Sequence, residues 1–243
     1  MFDLDDTLYD LEEPFLIAFK NTFHYVAKNI YDIFLDFREY NNQLYGKALE
    51  GEISMEYLCI YRAKSAFADH NIYIDNEKAI KFQHEYTKAK KSIKLNEYME
   101  KSLNLLKENN YQIGIISNGL HDNQFEKLKY LDIYRYVQKN CIFISEDVGF
   151  HKPDSRIFDY VKKSMLKTSA DKYNEMYSKD NSNEFFYIGD SYQNDIIGAN
   201  NAGYSTIWVN HRSYKPTDRV STASYTINSF DEIYNLIKSL IKK

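Results

Sequence analysis

Hydrophobic positions along this chain follow two different patterns. Beyond about residue 96, short apolar runs ending in small or polar residues recur at 113–117, 141–145, 185–190 and 205–210, with 225–228 as a weaker last one. Each has the length and composition of a buried strand. Between them the period is helical: Met99, Leu103 and Leu106 share a face before the first run, and Ile157, Tyr160, Val161 and Met165 share one after Pro153. Alternation of this kind predicts a parallel sheet covered on both faces. Ser229 and Glu232 have capping-box spacing, and Ile233, Leu236, Ile237, Leu240 and Ile241 follow at helical intervals, so the last segment predicts a helix that packs on the sheet. Gly203, after the segment 195–202, reads as the helix end that turns the chain into the 205 strand.

Residues 11–95 differ. Phe15, Phe19, Phe23, Val26 and Ile30 mark one helical face, further helical stretches follow around 36–49, 53–69 and 76–91, and no strand pattern interrupts them. The simplest organisation is an α/β core of 1–10 and 96–243 with a helical domain, 11–95, inserted after the first strand. A chain of 243 residues has room for such a core and an insert of about 80 residues. The tyrosines of the insert, Tyr25, Tyr45, Tyr57, Tyr61 and Tyr86, read as packed core before they read as a surface for stacking a ligand.

Composition narrows the function classes. The net charge of −4, with no basic stretch longer than that at 88–94, argues against a nucleic-acid partner. Cys59 and Cys141 form neither a disulfide framework nor a zinc-binding pattern. No apolar run approaches the ~18 residues of a membrane span, and the acidic start lacks the features of a secretory signal. The expectation is a protein of the reducing cytoplasm without a membrane partner, as a monomer or homodimer.

Four segments carry candidate chemistry. Asp3-Leu4-Asp5-Asp6-Thr7 places two carboxylates two residues apart where a strand should run into a loop; an extended backbone there would point both to one side. Crowded carboxylates raise one another's proton affinity unless a cation or a proton-transfer task is supplied, which suits a nucleophile beside a general acid with Mg²⁺. Gly114-Ile115-Ile116-Ser117-Asn118-Gly119 ends a strand in a hydroxyl and backbone N–H groups that can hold a phosphoryl oxygen. In His151-Lys152-Pro153-Asp154, Pro153 fits the first position of a helix and Lys152 adds a cation just outside its positive end. Gly189-Asp190-Ser191-Tyr192-Gln193-Asn194-Asp195 delivers Asp190 to a strand end and Asp195 to a helix start, as hard oxygen ligands. Singly, each also has a plain structural reading: an Asp-rich turn, a strand-ending turn, a solvated lysine, a helix cap.

In this order the four segments resemble the haloacid dehalogenase superfamily, whose pattern is a DxD[T/V] strand end, a Ser or Thr strand end, a Lys, and an acidic GDxxxxD. The resemblance spans essentially the whole chain. It implies a Rossmann-like parallel sheet with the site at the C-terminal strand ends and a helical cap, 11–95, that closes over it. It further implies Asp3 as nucleophile and Asp5 as general acid and base. Ser117, the Asn118 backbone and Lys152 would bind the phosphoryl group, Asp3, Asp5 (through its carbonyl) and Asp190 would hold Mg²⁺, and Thr7 and Asp195 would support them. Asp5 separates phosphatases from the haloacid dehalogenases, which lack a second carboxylate there. The substrate implied is a small phosphorylated metabolite, and the segment through Ala199, Asn200, Gly203 and Trp208 looks like members that hydrolyse nucleoside monophosphates as well as sugar-phosphate phosphatases. Two readings compete: a sugar phosphomutase, which also carries both carboxylates, and a catalytically weak metabolite-binding or regulatory protein. The second is raised by a departure from the family pattern. Four or more apolar residues normally precede the nucleophile, and here Met1 and Phe2 do. The expectation is a central strand too short to pair its neighbours.

Overall fold

The described residues, 1–172, 184–216 and 220–241 of a computed structural model, divide into two units: Met1–Tyr9 with Lys94–Lys243, and Asp10–Ile93.

The second unit is built from four helices, α1 (Glu12–Phe23), α2 (Ile30–Leu49), α3 (Met55–Asp69) and α4 (Asn76–Ala89). Ser54 and Asp75 start α3 and α4 by accepting hydrogen bonds from the Tyr57 and Lys78 amides at 3.0 and 2.8 Å. The apolar face expected to run on to Ile30 is interrupted, because His24 takes a left-handed conformation that ends α1, and Val26 lies exposed. Phenylalanine makes the core. Phe15 sits with its ring centroid 5.2 to 5.4 Å from those of Phe34, Phe37 and Phe82. Of the tyrosines expected inside, Tyr86 is buried, whereas Tyr25 and Tyr57 are about half exposed and Tyr45 and Tyr61 are intermediate. A phenol oxygen needs a partner when buried, and a phenyl ring does not.

In the first unit the expected α/β alternation is present. After α5 (Glu97–Glu108) come β1 (Ile115–Ser117), α6 (His121–Tyr130), β2 (Ile142–Ile144), the single turn α7 (Ser145–Val148) and α8 (Ser155–Lys172). Then follow β3 (Phe186–Gly189), the short α9 (Gly198–Asn201), β4 (Ser205–Val209), β5 (Tyr225–Ile227) and α10 (Phe230–Ile241). All strand pairs are parallel: β1 with β2, β3 with β4, and β4 with β5. Asn96 caps α5, accepting from the Tyr98 amide at 3.0 Å. On α8 the inward residue beside Ile157 is Phe158, not the expected Tyr160, which is half exposed. On α10, Ile233 and Ile237 are buried, with Leu236, Leu240 and Ile241 at the margin.

Met1–Asp3 occupy the place between β1 and β3. Phe2 accepts from the Ile116 amide at 3.0 Å and donates to Gly114 at 2.9 Å. On the other side Ile188 donates to the Met1 carbonyl at 3.0 Å and accepts from the Asp3 amide at 2.8 Å. The strand order is therefore β2-β1-(Met1–Asp3)-β3-β4-β5, and these residues pair both neighbours despite their number. Beside Met1, on the side of the sheet away from the Asp3 carboxylate, a cavity of about 700 Å³ opens, lined by Ile113, Phe185, Ile237 and Leu240 among others.

Phe15→Ala removes the ring at the centre of the helical unit and is expected to cost about 3 to 5 kcal/mol, read as a lower urea midpoint for that unit. A loss below about 1 kcal/mol, the cost of a surface change, would contradict the central position of this ring.

Candidate active site

The pleat and the loops at the C-terminal strand ends bring together residues up to 206 positions apart in sequence. Asp3, buried where the first strand ends, accepts at 2.5 Å from Nζ of Lys152, which also donates to Asp195 Oδ1 at 2.6 Å and to the Tyr187 hydroxyl at 3.0 Å. Lys152 is itself 4% exposed, so this is a buried ammonium between two buried carboxylates. Burial alone would lower its pKa, but Asp195 and Asp3 outweigh that and hold it above the usual lysine range. Burial pushes the Asp3 carboxyl upward against the pull of Lys152, and the neighbouring Asp195 and Asp5 push it the same way.

Asn118 positions Lys152. Its side-chain amide accepts from the Lys152 amide at 2.8 Å and donates to the Lys152 carbonyl at 2.9 Å, a two-point tie between the β1 turn and the lysine loop. Pro153 does not open the helix as expected; α8 begins two residues later, and Asp154 caps it by accepting from the Arg156 amide at 2.9 Å. Lys152 therefore stands in a turn, held by Asn118 rather than by proximity to a helix end.

Asp190 leaves β3 with its carbonyl accepting from Trp208 Nε1 at 2.8 Å and its carboxylate accepting from the Thr7 hydroxyl at 3.3 Å. Thr7 thus ties the N-terminal loop to Asp190. Asp195 folds back over the strand end: Oδ2 accepts from the Ser191 amide at 2.9 Å, and Oδ1 from Lys152 and Tyr187. Gly189 makes this possible, since a Cβ there would meet the Asp195 carboxylate at 2.5 Å. Carboxylate oxygens of Asp3, Asp190 and Asp195 lie within 4.8 Å of one another. Three buried carboxylates with one shared ammonium leave surplus negative charge, and the donors are all hard oxygen, so the cluster fits a divalent cation of the Mg²⁺ type.

The Asp5 carboxylate has different neighbours. Both of its oxygens accept from Lys127 Nζ at 2.7 Å, Oδ2 accepts from Gln124 Nε2 at 3.0 Å, and Oδ1 from the Tyr9 hydroxyl. Burial would raise this carboxyl, yet Lys127 and the hydrogen bonds from Lys127, Tyr9 and Gln124 together hold it below the usual carboxylate range. Asp3 and Asp5 are thus each matched with a lysine of their own. Between Asp5 and Thr7, the fully buried Asp6 takes a left-handed backbone (φ +62°) and its carboxylate accepts from Arg212 at 3.0 and 3.3 Å.

Ser117 is buried at the end of β1, and its Oγ accepts from Gln124 Nε2 at 2.5 Å. Gln124, Lys127, Tyr187 and Arg212 were not among the sequence-derived candidates. Gln124 and Lys127 had a signal, two polar residues three apart on the helix after a Ser-Asn-Gly turn. Tyr187 reads as one more apolar strand residue, and Arg212 has no pattern around it.

The comparisons with known proteins agree with this geometry. The sequence pattern of the haloacid dehalogenase-like hydrolases matches residues 1–209. The putative HAD-hydrolase YfnB of Bacillus subtilis is 24% identical, over 98% of this chain and 94% of its own length. Its structure bound to magnesium superposes with a TM-score of 0.66, at 23% identity, covering 97% of this chain and 96% of that one. The glyceraldehyde 3-phosphate phosphatase of Methanocaldococcus jannaschii is 28% identical, over 100% and 97% of the two chains. The pyrimidine 5′-nucleotidase YjjG of Escherichia coli is 31% identical over 53% of this chain and 50% of its own. Matched to that pattern over residues 1–209, the chain belongs to the haloacid dehalogenase-like hydrolases.

Proposed function

We propose that this hydrolase is a Mg²⁺-dependent phosphatase of small phosphorylated metabolites, a nucleoside monophosphate or a sugar phosphate. The observation that carries the reading is the convergence of Asp3, Asp190, Asp195 and Lys152 at the strand ends, with a second carboxylate, Asp5, joined through Gln124 to Ser117. One of Asp3 and Asp5 can serve as nucleophile while the other handles protons.

In this reading an Asp3 carboxylate oxygen bonds to phosphorus as the bond from phosphorus to the ester oxygen breaks, and Asp5 gives its proton to the departing oxygen. Asp5, now ionised, takes a proton from a water whose oxygen attacks the phosphorus, releasing inorganic phosphate and restoring Asp3. Ser117 is suited to bind a phosphoryl oxygen, because its Oγ accepts from Gln124 and leaves the hydroxyl hydrogen to donate. Lys152 and the Asn118 backbone would supply the other donors, at positions fixed before substrate arrives. Asp3, the Asp5 carbonyl and Asp190 would hold Mg²⁺, with Asp195 and Thr7 steadying them; the ion supplies charge neutralisation for the phosphoryl oxygens. The names of the glyceraldehyde 3-phosphate phosphatase and of the nucleotidase support the substrate class.

Phosphate release measured with Mg²⁺ on uridine 5′-monophosphate, glyceraldehyde 3-phosphate and p-nitrophenyl phosphate should show turnover of at least one ester without a bisphosphate activator. A requirement for such an activator would point to phosphoryl return to a sugar. Asp3→Asn is expected to lower kcat on the order of 10⁴-fold or more with the fold retained, and retained turnover would exclude the covalent step. Adding Mg²⁺ at about 100 times its Kd should raise stability by ~2.7 kcal/mol, read as a higher Tm, and Asp190→Asn should remove that gain. An unchanged Tm with Mg²⁺ would argue against the assigned ligands.

A further inference from the structure

We propose that Arg212 is a positioning residue for the metal ion: by pairing with Asp6 it holds the left-handed turn that sets the direction of the Asp5 carbonyl. This rests on the phosphatase reading above, in which that carbonyl is a Mg²⁺ ligand.

The direction of a carbonyl in a loop depends on the residue that follows it. Turns of types I and II differ by a flip of the central peptide, and the φ of the residue after that peptide changes sign with the flip. At Asp6 φ is +62°, and no other residue of the 3–7 loop has a positive φ. The sign of this angle therefore decides to which side of the loop the Asp5 carbonyl is turned. An L-residue other than glycine enters this region at a cost, which Asp and Asn bear more readily than most, so the turn needs a contact to hold it.

Arg212 supplies that contact from the far side of β3. It follows β4, which β3 separates from the first strand. Its Nη2 donates to Asp6 Oδ1 at 3.0 Å and its Nε to Oδ2 at 3.3 Å. Two parallel contacts fix the plane of the carboxylate as well as its position. The Arg212 and Asp6 side chains are 4% and 0% exposed, so water competes little for either. His211 Nε2 stands 3.6 Å from Asp6 Oδ1, beyond hydrogen-bonding distance, with its ring against Phe230. One residue further on, the Thr7 hydroxyl donates to the carboxylate of Asp190, a second assigned ligand. The loop is thus pinned at residue 6 by Arg212 and at residue 7 by Asp190, directly after the carbonyl that would meet the ion.

The test reads Mg²⁺ affinity, from the Tm of the protein titrated with the ion, rather than turnover. Arg212→Met is expected to weaken Mg²⁺ binding about 10- to 100-fold, the range for residues that orient a metal ligand without touching the metal. Two double variants then separate backbone from charge. Arg212→Met combined with Asp6→Gly, or with Asp6→Ala, removes both charges, so neither leaves a buried ion unpaired. Glycine takes the left-handed conformation readily and alanine does not. The glycine double variant should therefore recover Mg²⁺ affinity to within several-fold of wild type, and the alanine one should stay ~10-fold weaker or more. That comparison stands even where Arg212→Met alone fails to fold. Equal affinities of the two double variants would overturn the positioning role. So would a lower Tm without the ion, in any of the variants, accompanied by an unchanged Mg²⁺ affinity, since the pair would then serve stability alone. A wild-type chain that binds no Mg²⁺, or binds it equally well with Asp190→Asn, would remove the metal assignment itself and this proposal with it.

Discussion

The site depends on one buried cation. Lys152 lies between Asp3 and Asp195 in a region from which water is nearly absent, and without it those carboxylates would face each other and Asp190 uncompensated. Removing one partner from a buried pair costs about 3 to 5 kcal/mol, because the other charge is left unpaired. The surrounding structure is arranged to keep the ammonium in place. Asn118 grips the backbone of the lysine, Tyr187 donates to Asp195 from below, and Gly189 leaves room for the Asp195 carboxylate to reach it. Asn118 follows β1, whereas Tyr187 and Gly189 belong to β3, so both strands have to be in register with the first before the charges can balance.

A second consequence is a division of labour between the lysines. Lys152, in the turn before α8, pairs with Asp3, and Lys127, on α6, pairs with Asp5. Two carboxylates two residues apart in sequence therefore have different cations to offset part of their mutual repulsion. Differentiating two like groups through their surroundings is the general way in which a protein obtains an acid and a base from the same side-chain type.

Much of this was legible in the sequence, and for definable reasons. The parallel strands announced themselves because buried strands are near-continuous apolar runs, and every expected run contains a strand one to two residues shorter at its ends. Asp3, Ser117 and Asp190 could be singled out because each stands at a strand end, and Lys152 because Pro153 follows it, although the helix that the proline was read as opening begins at Ser155. The errors have equally physical origins. Val26 was assigned to the face of α1 because periodicity alone does not register the left-handed residue that stops the helix, and Tyr160 was preferred to Phe158 because each flanks Ile157 and Val161, about 60° from Ile157 on one side and about 100° on the other. Gln124 and Lys127 look like ordinary surface polar residues until the helix that carries them is placed beside Asp5. Arg212 and Asp6 meet across 206 positions, a pairing that no local pattern encodes.

That last pair has a bearing on how the protein is made. The segment bearing Asp3, Asp5 and Asp6 is synthesised before Lys152, Asp190, Asp195 and Arg212. Asp6 holds a left-handed backbone that an L-residue adopts at a cost of roughly 1 to 2 kcal/mol, and the guanidinium that offsets this cost arrives about 200 residues later. The acidic loop therefore has to wait, exposed to water, until the downstream strands are translated and docked beside it.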